Sequence, residues 1–362
     1  MNTDQPYRDD GGRVFYNHTS TQTAVLPVDV TLARRNGGIP ASIPDAQVPT
    51  QIVYSIKKEY GGWTKDEIAL MDIIATNAEL GWQRPIYFAV TSDTKKMMGL
   101  IDYLQFDGMA YRLIPYKTPN NRQNGIGRIE FDTLYDKVMN KYRWGNFDKY
   151  DLFVDESYAP SVNSLQNCMM RLVNSAYQKS LPQYTSDSSA RETYREKGQK
   201  VIRKFFEVFP DMNFPLFENR FAPEIFLYAH LLGMKEEVQD KITATVDEIC
   251  EHSLFYNSLS KSNRQAFYDY SVNQYLFDRL LNRIVETGDS SLQQEVGNRL
   301  IDALITYRDG SEMDTKDIAE ALNIKKYLYL LNKAERHRIA CKASYDVLLR
   351  RIEEEELSPD IQ

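Results

Sequence analysis

The pattern of apolar residues changes once along this chain, near residue 160, and that change constrains the fold more than any other feature. Beyond Ser161 the strand-like alternation stops and apolar residues fall at helical spacing. Segments 161–180, 188–209, 222–232, 235–257, 262–287, 290–307 and 314–350 read as helices, the last one broken near Asn323. In the second of these, Tyr194, Val201, Phe205 and Val208 follow one another at steps of seven, four and three, which keeps all four on one helix face. Pro210 and Pro215 stop that helix, and Gly233 separates the next two.

Before residue 160 helices and strands alternate. The first 60 residues are irregular: Gly11-Gly12, Gly37-Gly38 and prolines 27, 40, 44 and 49 punctuate short extended runs at Arg13–Asn17 and Gln51–Ile56. Thr64 followed by Glu67 is a capping box that opens a helix, with Ile68, Met71 and Ala75 on one face and Ile74 beside it. Pro85–Val90 reads as a buried strand, Ser92–Leu104 as a helix, Met109–Tyr116 as a second strand, and Asp132 as the cap of a helix reaching Tyr142. The expectation is a mixed, α+β chain: a small α/β unit with an irregular N-terminal segment over 1–155, then an all-α, helical-repeat-like domain over 156–362.

The chemistry announced by short motifs is thin. No phosphate-binding loop, dinucleotide fingerprint, zincin helix or nucleophile elbow is present, so no cofactor is expected. The four histidines and three cysteines are scattered without metal-ligand spacing, so no metal and no disulfide framework is expected. The net charge of −7 argues against nucleic acid as a partner. No apolar run approaches the ~20 residues of a membrane span. The opening Met-Asn-Thr-Asp-Gln-Pro has neither the basic nor the apolar part of a signal peptide, so the chain as it stands is expected to lack an export signal and to remain cytoplasmic.

Three clusters combine aromatic rings with arginine: Trp82, Arg84 and Tyr87; Tyr103, Tyr111 and Arg112; and Arg143 with Trp144. Rings stack on the C–H faces of sugars while guanidinium groups reach oxygens, so these eight are the candidate ligand-binding residues. The internal alternative, arginines stacked on rings inside a small core, stays open. Strand alternation puts Tyr87 opposite Phe88 and Tyr111 opposite Arg112, so at most half of the set faces solvent together. Arg84, Arg112 and Arg143 are expected to be partly buried and paired. Asp102, Asp107, Asp155 and Glu156 read as caps, turns or ion pairs rather than a glycosidase pair. The basic and acidic residues of 191–207 read as a solvated helix face. Asp132-Thr133-Leu134 has the form of a bacterial O-glycosylation acceptor and equally of a helix start. Gly125-Ile-Gly127 lacks the preceding strand of a phosphate loop. No catalytic residue is assigned.

Five segments carry a family resemblance: Asp72–Asn77, Trp82–Ala89, Gly99–Gln105, Gly108–Pro115 and Asn140–Gly145. In this order they resemble the C-terminal, extracytoplasmic soluble region of large bacterial multispanning membrane proteins that look like protein O-mannosyltransferases of the lipid-linked-sugar type, with a related transmembrane enzyme in animals. The 222–257 hairpin, through Leu232-Gly-Met-Lys-Glu-Glu237, resembles a tetratricopeptide unit, which fits the end of such proteins. The membrane spans and acidic catalytic residue of that family have no counterpart here, so no catalytic position is carried over. The resemblance implies a detached, non-catalytic accessory domain on the periplasmic face of the inner membrane. Its implied partners are a protein or peptide acceptor and a glycan. A stand-alone helical-repeat scaffold for proteins is the alternative, and a soluble glycan hydrolase a minor one.

Overall fold

The computed structural model describes residues 20–58, 64–118, 125–152, 156–259 and 266–296, with 6–8, 14–16, 263 and 299. Two units divide the chain. One holds residues 1–142 with 161–172, the other 143–160 with 173–362. The division expected at 155/156 falls within the 143–160 stretch.

In the first unit, β1 (Pro6–Arg8) and β2 (Val14–Tyr16) form an antiparallel ribbon. A second ribbon pairs β3 (Ser20–Pro27) with β4 (Gln51–Lys58) from Ser20 opposite Lys58 to Pro27 opposite Gln51. Its two faces separate by alternation: Leu26, Ile52, Tyr54 and Ile56 are buried, whereas Val25 and Val53 are exposed. Between the strands lies α1 (Val30–Arg35), capped by Asp29, whose carboxylate accepts the Leu32 N–H at 2.9 Å. The Arg34 guanidinium then straps the following loop, donating to the Pro40 carbonyl at 2.6 Å and to Asp45 at 2.9 Å.

Helix α2 (Lys65–Glu79) starts at the expected capping box, with the Thr64 N–H donating to Glu67 at 3.0 Å. Its buried side is Ile74, Asn77 and Ala78, with Met71 and Ala75 half-buried; of the expected face, Ile68 at the start of the helix is exposed instead. The helix ends in a turn where Trp82 itself has a left-handed φ of 58°. Gly38 packs against that turn so closely that an added Cβ would lie 2.6 Å from the Trp82 Cβ, which only glycine tolerates.

A four-stranded sheet follows, in the order β5 (Tyr87–Ala89), β7 (Ala110–Leu113), β6 (Leu104–Phe106), β8 (Arg128–Ile129). β6 pairs antiparallel with β7 and parallel with β8. The helix expected over Ser92–Leu104 is absent. Two short 3-10 turns, Thr94–Met97 and Ile101–Tyr103, stand there and lead into β6. Met98 and Gly99 both take left-handed φ, and Gly99 lies against the Ser55 carbonyl, which breaks any helix at that point. α3 (Phe131–Asp136) starts after Glu130 rather than Asp132 and widens into a π turn over Lys137–Lys141.

Helix α4 (Ala159–Lys179) contributes Ser161–Leu172 to the first unit and Val173–Lys179 to the second. The second unit continues with α5 (Ser188–Val208), α6 (Ala222–Leu231), α7 (Lys235–Ser258) and α8 (Tyr268–Glu286), and residues 290–296 are helical. Val201, Phe205 and Val208 are buried and Tyr194 is half-buried, as their helical spacing predicts. Asn213 ties in the 147–152 segment: its amide donates to the Phe147 and Tyr150 carbonyls at 2.8 and 2.7 Å and its oxygen accepts the Leu152 N–H at 2.7 Å. No strand follows residue 165 among the described residues. The fold is therefore mixed, with small sheets first and helices after them. The helix expected over 314–350 and the end of that over 290–307 lie outside the described residues.

Candidate functional site

The four-stranded sheet sorts the arginine-aromatic residues by its register. Tyr87 stands opposite Arg112, Arg112 opposite Gln105, and Gln105 opposite Arg128, which makes one polar row across the sheet. Phe88, Tyr111, Phe106 and Ile129 form the row one residue along, on the other face. Phe88, Tyr111 and Phe106 are buried, and the last two rings meet at 5.6 Å.

At the outer end of the polar row the Tyr87 ring is 48% exposed. Arg112 beside it is half-buried. Its guanidinium donates to the Gly37 carbonyl, its Nε is buried without a partner, and no carboxylate pairs with it among the described residues. Gln105 is fully buried, donating to Asp107 at 2.8 Å while its Oε1 goes without a partner. Arg128 pairs with Glu130 at 3.1 Å and donates to the Ser42 hydroxyl at 3.2 Å. Asp107 is held by Lys137 at 3.2 Å.

The remaining candidates split between core and surface. Trp82 is buried, its indole N–H donating to the Pro27 carbonyl at 3.3 Å. Tyr103 is buried, with its hydroxyl on the Val53 carbonyl at 3.3 Å and its pKa raised by burial. Arg84 is exposed, and only its backbone N–H is fixed, by the Asn77 side chain at 2.9 Å. Arg143 and Trp144 belong to the second unit. Arg143 is exposed, and Trp144 meets Phe209 edge-on at 5.9 Å. The expectation of partly buried, paired arginines thus holds for Arg112 and fails for Arg84 and Arg143, whose backbone positions, just before β5 and just after the π turn, project into solvent. What can meet a ligand is Tyr87 with Arg112, and Arg84 ahead of the same strand.

Two functional-looking residues escape the sequence because β6 does: Gln105 and Arg128 enter the row only through pairing. A third, Arg171 on α4, is 6% exposed and lies 3.8 Å over the Phe106 ring. It donates to the carbonyls of Ile126 and Gly127 at 2.8 and 2.9 Å, so the Gly125–Gly127 turn presents carbonyl oxygens inward to a cation. Asp102 pairs with Lys117 at 3.6 Å and Asp107 with Lys137, as structural carboxylates do. Thr133 is exposed within α3. Asp155 lies outside the described residues, as do His18 and His337. Among the described residues no group of three histidine, cysteine or acidic side chains is placed to hold a metal ion, and no helix is long and apolar enough to cross a membrane.

Residues 4–133 match the protein family described as TMEM260-associated domain 2. That stretch contains the whole polar row. It is thus similar to a domain tied to a TMEM260-like membrane protein. No curated protein and no solved structure matches the chain.

Proposed function

We propose that the first unit is a non-catalytic accessory domain of a membrane-embedded glycosyltransferase that uses a lipid-linked sugar, and that it meets the acceptor or the glycan along the β5 edge. The reading extends to protein O-mannosylation at the periplasmic face, as the resemblance of the five segments implies. The observation that carries it is the pairing of an exposed Tyr87 ring with Arg112, within the stretch that matches the TMEM260-associated family. A tyrosine face packs on sugar C–H groups, and an arginine whose charge meets only a backbone carbonyl keeps donors for hydroxyl or carboxylate oxygens. The helical unit serves as a protein-binding element in this reading, in the manner of tetratricopeptide hairpins.

The test is transfer by the parent enzyme carrying Tyr87→Ala with Arg84→Ala. Both side chains are exposed, so folding is retained and transfer is expected to fall about tenfold, the size of one lost contact of ~1.4 kcal/mol. Unchanged transfer, or turnover of a polyprenyl-linked donor by this chain alone, overturns the proposal.

A further inference from the structure

The second unit carries a surface of different character. On α7, Glu248, Glu251, His252 and Phe255 recur at steps of three, one and three, which places them along one stripe. The loop between α5 and α6 lies against this stripe, with the Phe217 ring 4.7 Å from His252. The start of α8 lies against its far end, with Phe267 6.2 Å from Phe255 and 6.0 Å from Tyr256. Phe255 and Phe267 remain 52% and 45% exposed, and Leu254 next to them is also open to solvent. Two phenyl rings left half in water on adjoining helices are costly for a structure to keep and mark an interaction surface.

The charges around these rings say what fits. Glu218 interacts unfavourably with Asp269, and Glu248 with Asp211, Glu251 and Glu218. None of these carboxylates forms an ion pair among the described residues, and the basic side chain beside both Glu218 and Glu248 is His252. Burial and mutual repulsion hold both carboxyls above the usual glutamate range. Several other acids of the same unit are paired: Arg203 with Glu237 at 2.7 Å, Arg279 with Glu224 at 2.5 Å, Lys235 with Asp289 at 2.5 Å. Glu218, Glu248 and Glu251 stand without such a partner beside the exposed phenyl patch.

We propose that this surface docks a basic polypeptide segment carrying an aromatic or leucine anchor. The anchor covers Phe255 and Phe267, and lysines or arginines of the partner supply the cations that Glu218, Glu248 and Glu251 lack. Nucleic acids and anionic lipid surfaces are repelled by the same carboxylates. The proposal stands apart from the β5 edge and does not rest on it.

The test uses the full chain and a short lysine-rich synthetic peptide with one central tryptophan, followed by calorimetry at low and at physiological salt. Binding is expected, weakening as salt rises. The combined Glu218→Gln, Glu248→Gln, Glu251→Gln chain is expected to bind at least about tenfold more weakly, and so is Phe255→Ala with Phe267→Ala. The glutamine set is isosteric, so it answers the question even where the phenyl truncations loosen the fold. Glu192→Gln, Glu196→Gln and Glu207→Gln together on α5 serve as the equal-charge control and are expected to leave affinity unchanged. No binding of the peptide, equal binding by the glutamine set, or an equal loss in the α5 control each overturns the proposal.

Discussion

Replacing Arg171 by methionine tests how the first unit holds its sheet. The guanidinium is buried at 6% exposure, lies 3.8 Å over the Phe106 ring, and satisfies the carbonyls of Ile126 and Gly127. Burial pulls its pKa down, so the charge is carried at a cost. Methionine keeps much of the volume and a favourable contact with the ring, but it leaves two carbonyls unpaired. Each buried unpaired group costs about 1–3 kcal/mol, and the desolvated cation–ring contact is worth about 2 more. Removing the buried charge recovers several of these, so the expected net loss is about 2 kcal/mol for methionine. Alanine adds a cavity and raises it to about 3–5 kcal/mol. Because the chain has two units, bulk unfolding is a poor reporter. Hydrogen exchange of the amides over 104–113, read in rising urea, follows the first unit alone. These amides are expected to lose about 30-fold in protection for methionine, the equivalent of 2 kcal/mol. Unchanged protection there, or a loss confined to 222–258, refutes the assignment of Arg171 as the clamp on the turn before β8.

Asn213→Ala removes three hydrogen bonds that fix 147–152 and is expected to destabilise the second unit by about 2–4 kcal/mol, visible as faster exchange of the Leu152 amide. An unaffected exchange rate refutes the role. Burial pushes the Cys168 thiol up to about 12, so a maleimide is expected to label its peptide only after unfolding; labelling of the native chain within minutes contradicts this. Glu218→Gln is expected to stabilise the second unit at pH 7, read as slower hydrogen exchange of the amides over 222–258. The folded pKa of Glu218 lies above the unfolded 4.5, so the folded chain binds its proton more readily and the ionised group costs stability above the raised value. The gain therefore shrinks as pH falls through that value and is gone below the ordinary glutamate range; a gain that persists in acid refutes the electrostatic cause.

The helices were legible because their signals are local. Ser188–Val208 and Lys235–Ser258 were expected to within a residue of their observed ends, since Pro210 and Gly233 mark ends or interruptions that depend on neighbours in sequence. The short strands β5 and β7 were visible as apolar runs, although only three and four residues of each pair. β6 was missed because Leu104-Gln-Phe is too short to show alternation and is buried on both faces, so it reads as the tail of an apolar helix. The break that ends that helix depends on Gly99 meeting the Ser55 carbonyl, a contact 44 positions away in the chain that no local pattern announces.

The same distinction separates what could and could not be read of the candidate surfaces. That Tyr87 and Arg112 cannot both share a face with Phe88 and Tyr111 followed from alternation alone. That Tyr87 and Arg112 share a face with each other needed the register of β5 against β7, which is set by the Ile86 carbonyl receiving the Leu113 N–H at 2.9 Å. On α7 the stripe Glu248, Glu251, His252, Phe255 is present in the sequence, but by itself it describes an ordinary solvated face with one apolar residue. It becomes unusual only when the loop bearing Asp211 and Glu218 and the start of α8 bearing Phe267 and Asp269 are brought to it. Carboxylates from three separate segments then crowd one another, with His252 beside two of them, and a face that is mildly acidic in isolation becomes one that favours a cation. Isolated helices can be inferred from periodicity. Unpaired charge is a property of what packs together, and it is the feature that gives this surface a preference among partners.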